Sequence, residues 1–412
     1  SGTEACWELA DPAMTDIPDN FLQGNIDLTG TLKVGPAVKT IGAWAFAYTT
    51  LAGLDLSDAT SLVDIGEEAF RGTYLESTLV IPAKVTTIGA YAFQATKLTS
   101  LDLSQATALA SIEAGAFCDA DLEGTLVIPG TVTTIGNSAF ESTELTGLDL
   151  SKATSLVSIG EQSFYDSGLE GTLVIPGKVT SIGPSAFAAA FDNSKLTNLD
   201  LSKANSLVEI GNGAFFATNL KGTLVIPGTV TTIGTSAFQD SMLTGLDLSK
   251  ATSLVEIGKW AFYATDLEGM LVIPATVTTI GSSAFTNTKL TGLDLSDAAA
   301  LVSIGDSAFS STDLGGTLVI PATVKRIGDG AFYNTETALD FSKATSLVEI
   351  KDDAFGTTDL EGTLVTPATV TMIGSHAFAE TKLRRESRSS PRRPDFSEAT
   401  SLSIGASSSD TD

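Results

Sequence analysis

A phenylalanine that recurs, with one exception, every 23 or 24 residues constrains the fold of this chain more than any other feature. Each one ends a segment such as residues 171–187, which read GTLVIPGKVTSIGPSAF. Because each unit of a fixed repeat contacts only its neighbours, the period overrides the two or three globular domains that 412 residues would otherwise suggest. We therefore expect one elongated domain of stacked repeats. The recurring residues are Phe46, Phe70, Phe93, Phe117, Phe140, Phe164, Phe187, Phe215, Phe238, Phe262, Phe285, Phe309, Phe332, Phe355 and Phe378.

Two unit types alternate, one of 24 and one of 23 residues, so that the true period is 47 residues. The first carries Leu-x-x-Leu-Asp-Leu-Ser-x-Ala-Thr, and the second carries Gly-Thr-Leu-Val-Ile-Pro. Both cores alternate as strands do, and Pro or Ser-x-Ala-Thr ends the strand because proline cannot donate to a ladder. A shorter alternation, Val-x-x-Ile, predicts a second strand. The glycine after it permits a sharp turn, and the following x-x-Ala-Phe predicts one short helical turn.

The Leu-x-x-Leu-x-Leu pattern at this period is the leucine-rich-repeat signature. With Ile-Pro, Val-Thr-x-Ile-Gly and Ala-Phe added, the chain resembles the BspA-like leucine-rich repeats over roughly residues 26–378. The resemblance implies an α/β repeat solenoid, a leucine-rich repeat superhelix with one continuous parallel β-sheet, short second strands and short helical turns. Two departures are that Thr or another polar residue mostly replaces the usual Cys after Ala-Phe, and that alternate units carry Leu-Ser in place of Ile-Pro.

The sequence divides into three segments. Residues 1–25 lack the period and carry an apolar cluster, which predicts an N-terminal cap over the open end of the core. Residues 26–378 hold about fifteen repeat units. Residues 379–412 predict a degenerate last repeat and a disordered tail. Four extra residues after Phe187 predict a protruding loop that carries Phe191.

The charge balance excludes several partner classes. Lys and Arg total 23 against 49 acidic residues, so the formal net charge is −26, which argues against nucleic acid and anionic membrane. No apolar run is long enough to insert into a membrane. A cationic partner, or plain solubility, agrees with this charge. Cys6 and Cys118 lie about four repeats apart, too far to form a disulfide bond with each other.

Catalytic chemistry has little support in the sequence. His376 is the only histidine, and its repeat position reads as exposed and variable. A Ser-His-Asp or Cys-His site would require it, and a histidine-based zinc site would require more than one. Residues 171–179 resemble a phosphate loop only superficially, because Val179 stands where Ser or Thr would bind magnesium. We therefore predict no catalytic, cofactor or metal site, and a protein that is not an enzyme.

Outward strand positions carry two alternating columns, one of aspartates and one of valines. Successive aspartates should lie about 10 Å apart, where their mutual repulsion is only about 0.4 kcal/mol and no calcium ion can be shared. The columns are read either as a solvated face inherited by repeat duplication or as a striped face that binds a cationic partner. The aspartates are Asp55, Asp102, Asp149, Asp200, Asp247, Asp294 and Asp340, and the valines are Val80, Val127, Val174, Val225, Val272, Val319 and Val365. The candidate partner-binding residues are Asp102, Asp149, Asp200, Asp247, Asp294, Val127, Val174, Val225, Val272 and Phe191.

Threonines form a further column that Met270 interrupts. A regular array of threonines is one way to match an ice lattice, although threonine is also favoured on half-exposed strands. Ice binding therefore stays open as a third alternative for the function. The column comprises Thr31, Thr78, Thr125, Thr172, Thr223, Thr317 and Thr363.

The family resemblance implies a functional context that the residues alone do not supply. BspA-like proteins are commonly exposed on the cell surface or secreted, and they adhere to host or matrix proteins. We accordingly predict a non-enzymatic cell-surface or secreted module that binds proteins, such as matrix or host-surface proteins, through the sheet face. The alternatives are an intracellular scaffold for protein interactions, or the repeat part of a larger protein whose functional domain is missing.

Overall fold

The computed structural model describes residues 6–9, 13–189, 195–362, 364–383 and 403–404. Each described repeat forms one turn of a leucine-rich-repeat β-solenoid, and each turn contributes two parallel strands. Internal contacts divide the chain into two compact units. The first unit comprises residues 1–207 with 214–220, and the second comprises residues 208–213 with 221–412.

The first strand of each turn, called here the Leu strand, lies on the predicted Leu-Asp-Leu or Leu-Val core. In the first unit the Leu strands are Cys6–Leu9, Gly30–Val34, Leu51–Asp55, Glu76–Val80, Lys97–Asp102, Glu123–Val127, Glu144–Asp149, Glu170–Val174 and Lys195–Asp200. In the second unit they are Lys221–Val225, Met242–Asp247, Glu268–Val272, Lys289–Asp294, Thr317–Val319, Ala338–Asp340, Glu361–Gly362 and Lys382–Leu383.

The second strand, called here the Ile strand, is two residues long and always ends in isoleucine. In the first unit the Ile strands are Asp16–Ile17, Thr40–Ile41, Asp64–Ile65, Thr87–Ile88, Ser111–Ile112, Thr134–Ile135, Ser158–Ile159 and Ser181–Ile182. In the second unit they are Glu209–Ile210, Thr232–Ile233, Glu256–Ile257, Thr279–Ile280, Ser303–Ile304, Arg326–Ile327, Glu349–Ile350, Met372–Ile373 and Ser403–Ile404. Within each unit these strands form one uninterrupted parallel ladder, in which each isoleucine pairs with that of the neighbouring turn.

The Leu strands do not form the continuous sheet that the sequence predicts for them. After a first group of three, they pair only two by two, for example Glu123–Val127 with Glu144–Asp149. The pairing register shifts between Gly124 and Thr125, where Gly124 has a left-handed φ of 75°. Because a bulged strand bends and twists, it keeps its ladder with one neighbour and diverges from the other. The Ile strands, and not the Leu strands, therefore form an uninterrupted ladder within each unit.

The predicted short helical turns are wrong, because no helix occurs in the part of the chain that the structure describes. The residue two before each recurring phenylalanine has a left-handed backbone, as at Trp44 with a φ of 59°. Its N–H donates to the next turn, to the Glu67 carbonyl at 2.8 Å, and the Phe46 N–H donates to the Ala69 carbonyl at 2.8 Å. A helix would need these N–H groups for bonds four residues back along the chain. The segment instead carries a third set of hydrogen bonds between turns.

The glycine that follows most Ile strands is required by the close approach of successive turns. A Cβ on Gly160 would lie 2.6 Å from the backbone nitrogen of Asn137 in the preceding turn. Backbone atoms cannot move aside as a flexible side chain can. The repeated Ile-Gly pair therefore encodes turn-to-turn contact, which the sequence argument had assigned only to a sharp turn.

The core is filled by the recurring phenylalanines with the inward Leu, Ile, Val and Ala side chains. Within each unit the rings stack nearly parallel, as for Phe117 and Phe140, whose ring centroids are 5.4 Å apart with planes 5° apart. In the described part of the chain, thirteen of the recurring phenylalanines are at most 1% exposed, each stabilising the fold by about 1.5–3 kcal/mol relative to exposure. Where the family usually carries Cys, the buried Thr143 hydroxyl donates to the Phe140 carbonyl at 2.9 Å.

The described part of residues 1–25 extends both ladders. Cys6–Leu9 pairs with Gly30–Val34, and Asp16–Ile17 pairs with Thr40–Ile41. The Phe21 ring meets Phe46 edge-on, with the ring centroids 6.1 Å apart. The three segment boundaries remain a prediction. The predicted loop with Phe191 and nearly all of the predicted tail, residues 384–402 and 405–412, lie outside the described residues.

Both cysteines are free thiols, as their separation in the sequence predicted. Cys6 is exposed, whereas Cys118 is buried beside the recurring Phe117. Burial, together with the nearby charge of Asp119, raises the pKa of the Cys118 thiol to about 12. Since the thiolate is the reactive form, Cys118 is an inert packing residue at neutral pH.

Candidate binding face

The exposed side of the Leu strands brings the predicted aspartate and valine columns into direct register. Val127 pairs with Asp149, and Val225 pairs with Asp247. The alternation predicted from the 47-residue period is therefore present in the strand pairs. The remaining pairs are Val80 with Asp102, Val174 with Asp200, Val272 with Asp294, and Val319 with Asp340.

Each aspartate of this column also closes the backbone turn that ends its own strand. The N–H of Ser151 donates to Oδ1 of Asp149 at 2.8 Å, which is an Asx turn. The same bond, from the serine two residues on, is made by Asp55, Asp102, Asp200, Asp247, Asp294 and Asp340 at 2.7–2.9 Å. The sequence argument missed this role, although the repeated Leu-Asp-Leu-Ser is a readable Asx signal. The column therefore has a structural function independent of any partner.

Hydrogen bonding favours the ionised form of Asp149, Asp200 and Asp247, because it lowers the pKa of each. The side chain and backbone of Ser151 hold the pKa of Asp149 below its ordinary value of 3.8, and the charge on Lys152 acts in the same direction. Since the groups are half-buried but carry their charge, they present a stable negative column. The pKa of Asp200 and of Asp247 is lowered likewise by Ser202 with Lys203 and by Ser249 with Lys250. This agrees with local balancing of the aspartates by the lysines that follow the strands.

A groove lies between one pair of Leu strands and the next. In the first unit it has a volume of about 490 Å³ and is lined by Asp149 and Val174, among others. In the second unit a groove of about 430 Å³ is lined by the equivalent Asp340, Val365 and Pro367. Both grooves follow from the interrupted ladder of the Leu strands. Each places a carboxylate on one wall and a valine on the other.

The valines between the aspartates are accessible to a partner. Val127 and Val225 are each 37% exposed and Val272 is 47% exposed, whereas Val174 is half-buried at its groove. A stripe of carboxylates alternating with apolar side chains can pair with cations while covering apolar surface. No group of three potential metal-ligating side chains occurs in the described ranges.

The single histidine lies where the sequence placed it. His376 is exposed and occupies the left-handed position two residues before Phe378, with a φ of 56°. Over the residues that the structure describes, no helix is long and apolar enough to cross a membrane.

Comparisons with known proteins agree with this architecture. The model of the BspA type leucine rich repeat region matches residues 15–145, 63–189, 110–244, 188–312 and 255–384 in overlapping stretches. Comparison with curated protein sequences gives no match.

Several solved structures are similar to this chain. A leucine-rich repeat protein from Bacteroides ovatus superposes with a TM-score of 0.51 at 21% identity, over 91% of this chain and 84% of that chain. A leucine rich cell surface protein from Faecalibacterium prausnitzii gives a TM-score of 0.36 at 17% identity, over 98% and 92%. A leucine-rich repeat protein from Eubacterium ventriosum gives 0.36 at 19% identity, over 90% and 89%. Leucine-rich repeats typically serve as non-enzymatic scaffolds for protein–protein interaction. Because the family model spans most of the sequence, the chain belongs to the BspA type leucine-rich repeat family.

Proposed function

We propose that this protein is a non-enzymatic cell-surface or secreted module that binds other proteins through the exposed side of its Leu strands. The observation that carries the proposal is the direct pairing of exposed valines with ionised aspartates along that side. Surface location and adhesion rest on what family membership implies. The partner that suits the face is a matrix or host-surface protein with a cationic and partly apolar surface.

The physical argument is one of complementarity. A lysine or arginine of a partner gains from each carboxylate, and burial of the intervening valines adds the apolar contribution that a standard interface requires. The net charge of −26 speeds association with a basic partner and repels acidic ones. A long repeated face supplies the area without a deep pocket. The grooves beside Asp149 and Asp340 offer places where a partner side chain can be enclosed.

The test compares two triple variants in retention of purified matrix and cell-surface proteins. In the face variant, Asp149→Asn, Asp200→Asn and Asp247→Asn remove three charges from the column. In the control variant, Asp306→Asn, Asp329→Asn and Asp352→Asn remove the same charge at positions whose carboxylates bond the backbone of the next turn. Asparagine keeps a hydrogen-bond acceptor at all six positions.

We expect the face variant to lose at least about tenfold in affinity for a retained protein and the control to stay within about twofold. Binding by the original protein should also weaken as the salt concentration rises. An equal loss of affinity in both variants would show that total charge, and not the aspartate column, causes the effect. Unchanged affinity in both variants would show that the partner binds at another surface. Antibody labelling of intact against permeabilised cells of the source organism decides between surface and intracellular location.

A further inference from the structure

Four large side chains on the turn side of the first unit depart from the repeat, and we call them the aromatic cluster: Trp44, Tyr48, Arg71 and Tyr91. The positions two before and two after each recurring phenylalanine hold mostly Ser, Gly, Ala, Asp or Asn elsewhere. Here the turn of Phe46 supplies both Trp44 and Tyr48, and the turn of Phe93 supplies Tyr91. The turn between them supplies Arg71, directly after Phe70. These departures are visible in the sequence once the repeats are aligned, but only stacking of the turns brings them together.

The cluster is centred on Arg71. Its guanidinium carbon lies 5.9 Å from the ring centre of Tyr48 and 6.0 Å from that of Tyr91, which belong to the turns on either side. The Trp44 and Tyr48 ring centroids are 6.5 Å apart. The Arg71 Nη1 donates to Oε2 of Glu68 at 2.6 Å, and the Glu68 side chain is only 8% exposed. The Arg71 guanidinium is thus fixed in position, and the Glu68 carboxylate neutralises its charge.

The tyrosine rings are seated on glycines of the following turn. Ring atoms of Tyr48 lie 2.8–3.0 Å from the place where a Cβ on Gly72 would be, and Tyr91 covers Gly115 in the same way. A missing Cβ lets each ring pack one face against backbone. Tyr48 remains 47% exposed and Tyr91 37% exposed, so part of each ring is turned to solvent. Both rings are therefore rigid aromatic platforms.

Stability does not account for these residues. Trp44, Tyr48 and Tyr91 have left-handed φ angles of 59°, 59° and 55°. A bulky side chain there costs about 1–2 kcal/mol relative to glycine, and a ring left in solvent recovers little of this by burial. Trp, Tyr and Arg are the residue types that dominate binding energy at protein interfaces.

We propose that the aromatic cluster binds a proline-rich segment of a partner protein in the polyproline II conformation. Exposed aromatic rings fixed side by side are the surface on which such segments dock. Trp44 and Tyr91 occupy the same position two turns apart, and the phenylalanine rings of successive turns are 5.3 Å apart, so the spacing is about 11 Å. A polyproline II helix advances about 9 Å every three residues, which is close enough to this spacing for prolines i and i+3 to contact both rings.

Arg71 supplies the polar contact between those rings. The polyproline II backbone makes no internal hydrogen bonds, so its carbonyls are available to a guanidinium donor. The strongly negative molecule repels polyanions, which disfavours nucleobases as the groups that stack on the rings. The negative charge of the molecule does not repel a neutral or basic proline-rich segment.

The test is fluorescence anisotropy with dye-labelled decaproline and a Gly-Ser peptide of equal length. We expect decaproline to bind and the Gly-Ser peptide not to bind. Trp44→Ala and Tyr91→Ala should each weaken decaproline binding at least about tenfold. The matched control is Trp260→Ala in the second unit, where Trp260 has the same turn position, a φ of 56° and 37% exposure, with Lys259 on its ring. This control should change binding less than about twofold.

Three outcomes would overturn the proposal. They are decaproline binding no tighter than the Gly-Ser peptide, equal weakening by Trp260→Ala and Tyr91→Ala, or binding of cellohexaose in place of decaproline, which would indicate a glycan site. Circular dichroism melting of each variant separates lost binding from lost folding. The Asp149→Asn, Asp200→Asn and Asp247→Asn variant should bind decaproline unchanged, so failure here is distinct from failure of the Leu-strand face.

Discussion

At the scale of single residues, the left-handed backbone on either side of each recurring phenylalanine is the costliest feature of the repeat. The residue two before and the residue two after the phenylalanine adopt it in turn after turn, and many are not glycine, for example Ala95 with a φ of 54° and Thr357 with a φ of 53°. Each such residue costs about 1 kcal/mol relative to glycine. The cost is tolerated because the flanking N–H groups bond to the neighbouring turn.

This predicts that two exposed alanines respond to glycine with opposite signs. Ala95→Gly relieves a left-handed residue and should raise the unfolding free energy by about 0.5–1 kcal/mol. Ala52→Gly lies inside the strand Leu51–Asp55, where glycine only adds chain entropy, and should lower it by a similar amount. Urea unfolding followed by circular dichroism measures both. A loss of stability in both variants would contradict the role assigned to the left-handed position.

At the scale of elements, every second Leu strand ends in a carboxylate that closes the following turn. The bond from the Ser151 N–H to Asp149 fixes where the chain leaves the strand and begins its path to the Ile strand. Because the same bond recurs along the column, the aspartates serve the fold at every second turn. Any binding role for them is added to this one.

The Asx turn that Asp149 forms with Ser151 gives a prediction of how stability depends on pH. Hydrogen bonds from Ser151 lower the pKa of Asp149 below 3.8 in the folded chain, so ionised Asp149 stabilises the fold above about pH 4. This contribution is lost as the pH falls through the lowered pKa. Asp149→Ala should cost about 1 kcal/mol at pH 7 and clearly less at pH 3, whereas Asp149→Asn keeps an acceptor and should cost less than half as much.

Urea unfolding at the two pH values, with hydrogen exchange of the Ser151 amide as the local readout, tests this. Exchange at Ser151 should speed up in Asp149→Ala and change little in Asp149→Asn. If Asp149→Ala lowers the unfolding free energy equally at pH 3 and pH 7, the ionised carboxylate of Asp149 contributes nothing to stability.

At the scale of the whole molecule, the excess of 49 acidic over 23 basic residues sets the response to ions. Individual repulsions are weak, but many of them act together on a folded chain with a net charge of −26. Ion pairs such as Lys289 with Asp266, 2.6 Å apart, offset part of this charge on exposed surface. Screening of the repulsions between acidic side chains by added salt should therefore stabilise the folded state.

Raising sodium chloride from about 0.01 M to about 0.2 M should raise the melting temperature by about 2–5 °C, because the Debye length falls below the spacing of the aspartate column. Calcium chloride at the same ionic strength should add no more than sodium chloride does, since aspartates about 10 Å apart cannot share one ion. Differential scanning calorimetry with and without chelator measures this. A calcium-specific rise that chelator reverses would reveal a cation site.

The period, the two strands of each turn, the buried phenylalanines and the alternation of aspartate with valine could all be predicted from the amino-acid sequence. This was possible because each depends on side-chain chemistry repeated at fixed spacing, and stacking preserves that spacing. The exposed His376 and the unpaired cysteines followed from the same reasoning. The Asx turn at Asp149 was also encoded locally, in the aspartate and the serine two residues later.

The partners of the backbone hydrogen-bonding groups could not be predicted, because they depend on how the turns stack. The segment before Phe46 has the composition of a helical turn, but its N–H groups find carbonyls in the next turn, and such nonlocal partners leave no trace in local sequence. The division of the Leu strands into pairs likewise arises from bulges at positions such as Gly124, which are defined only against a neighbouring strand. The aromatic cluster exists because stacking brings into contact residues that lie 23 or 24 positions apart, as Tyr48 and Arg71 do.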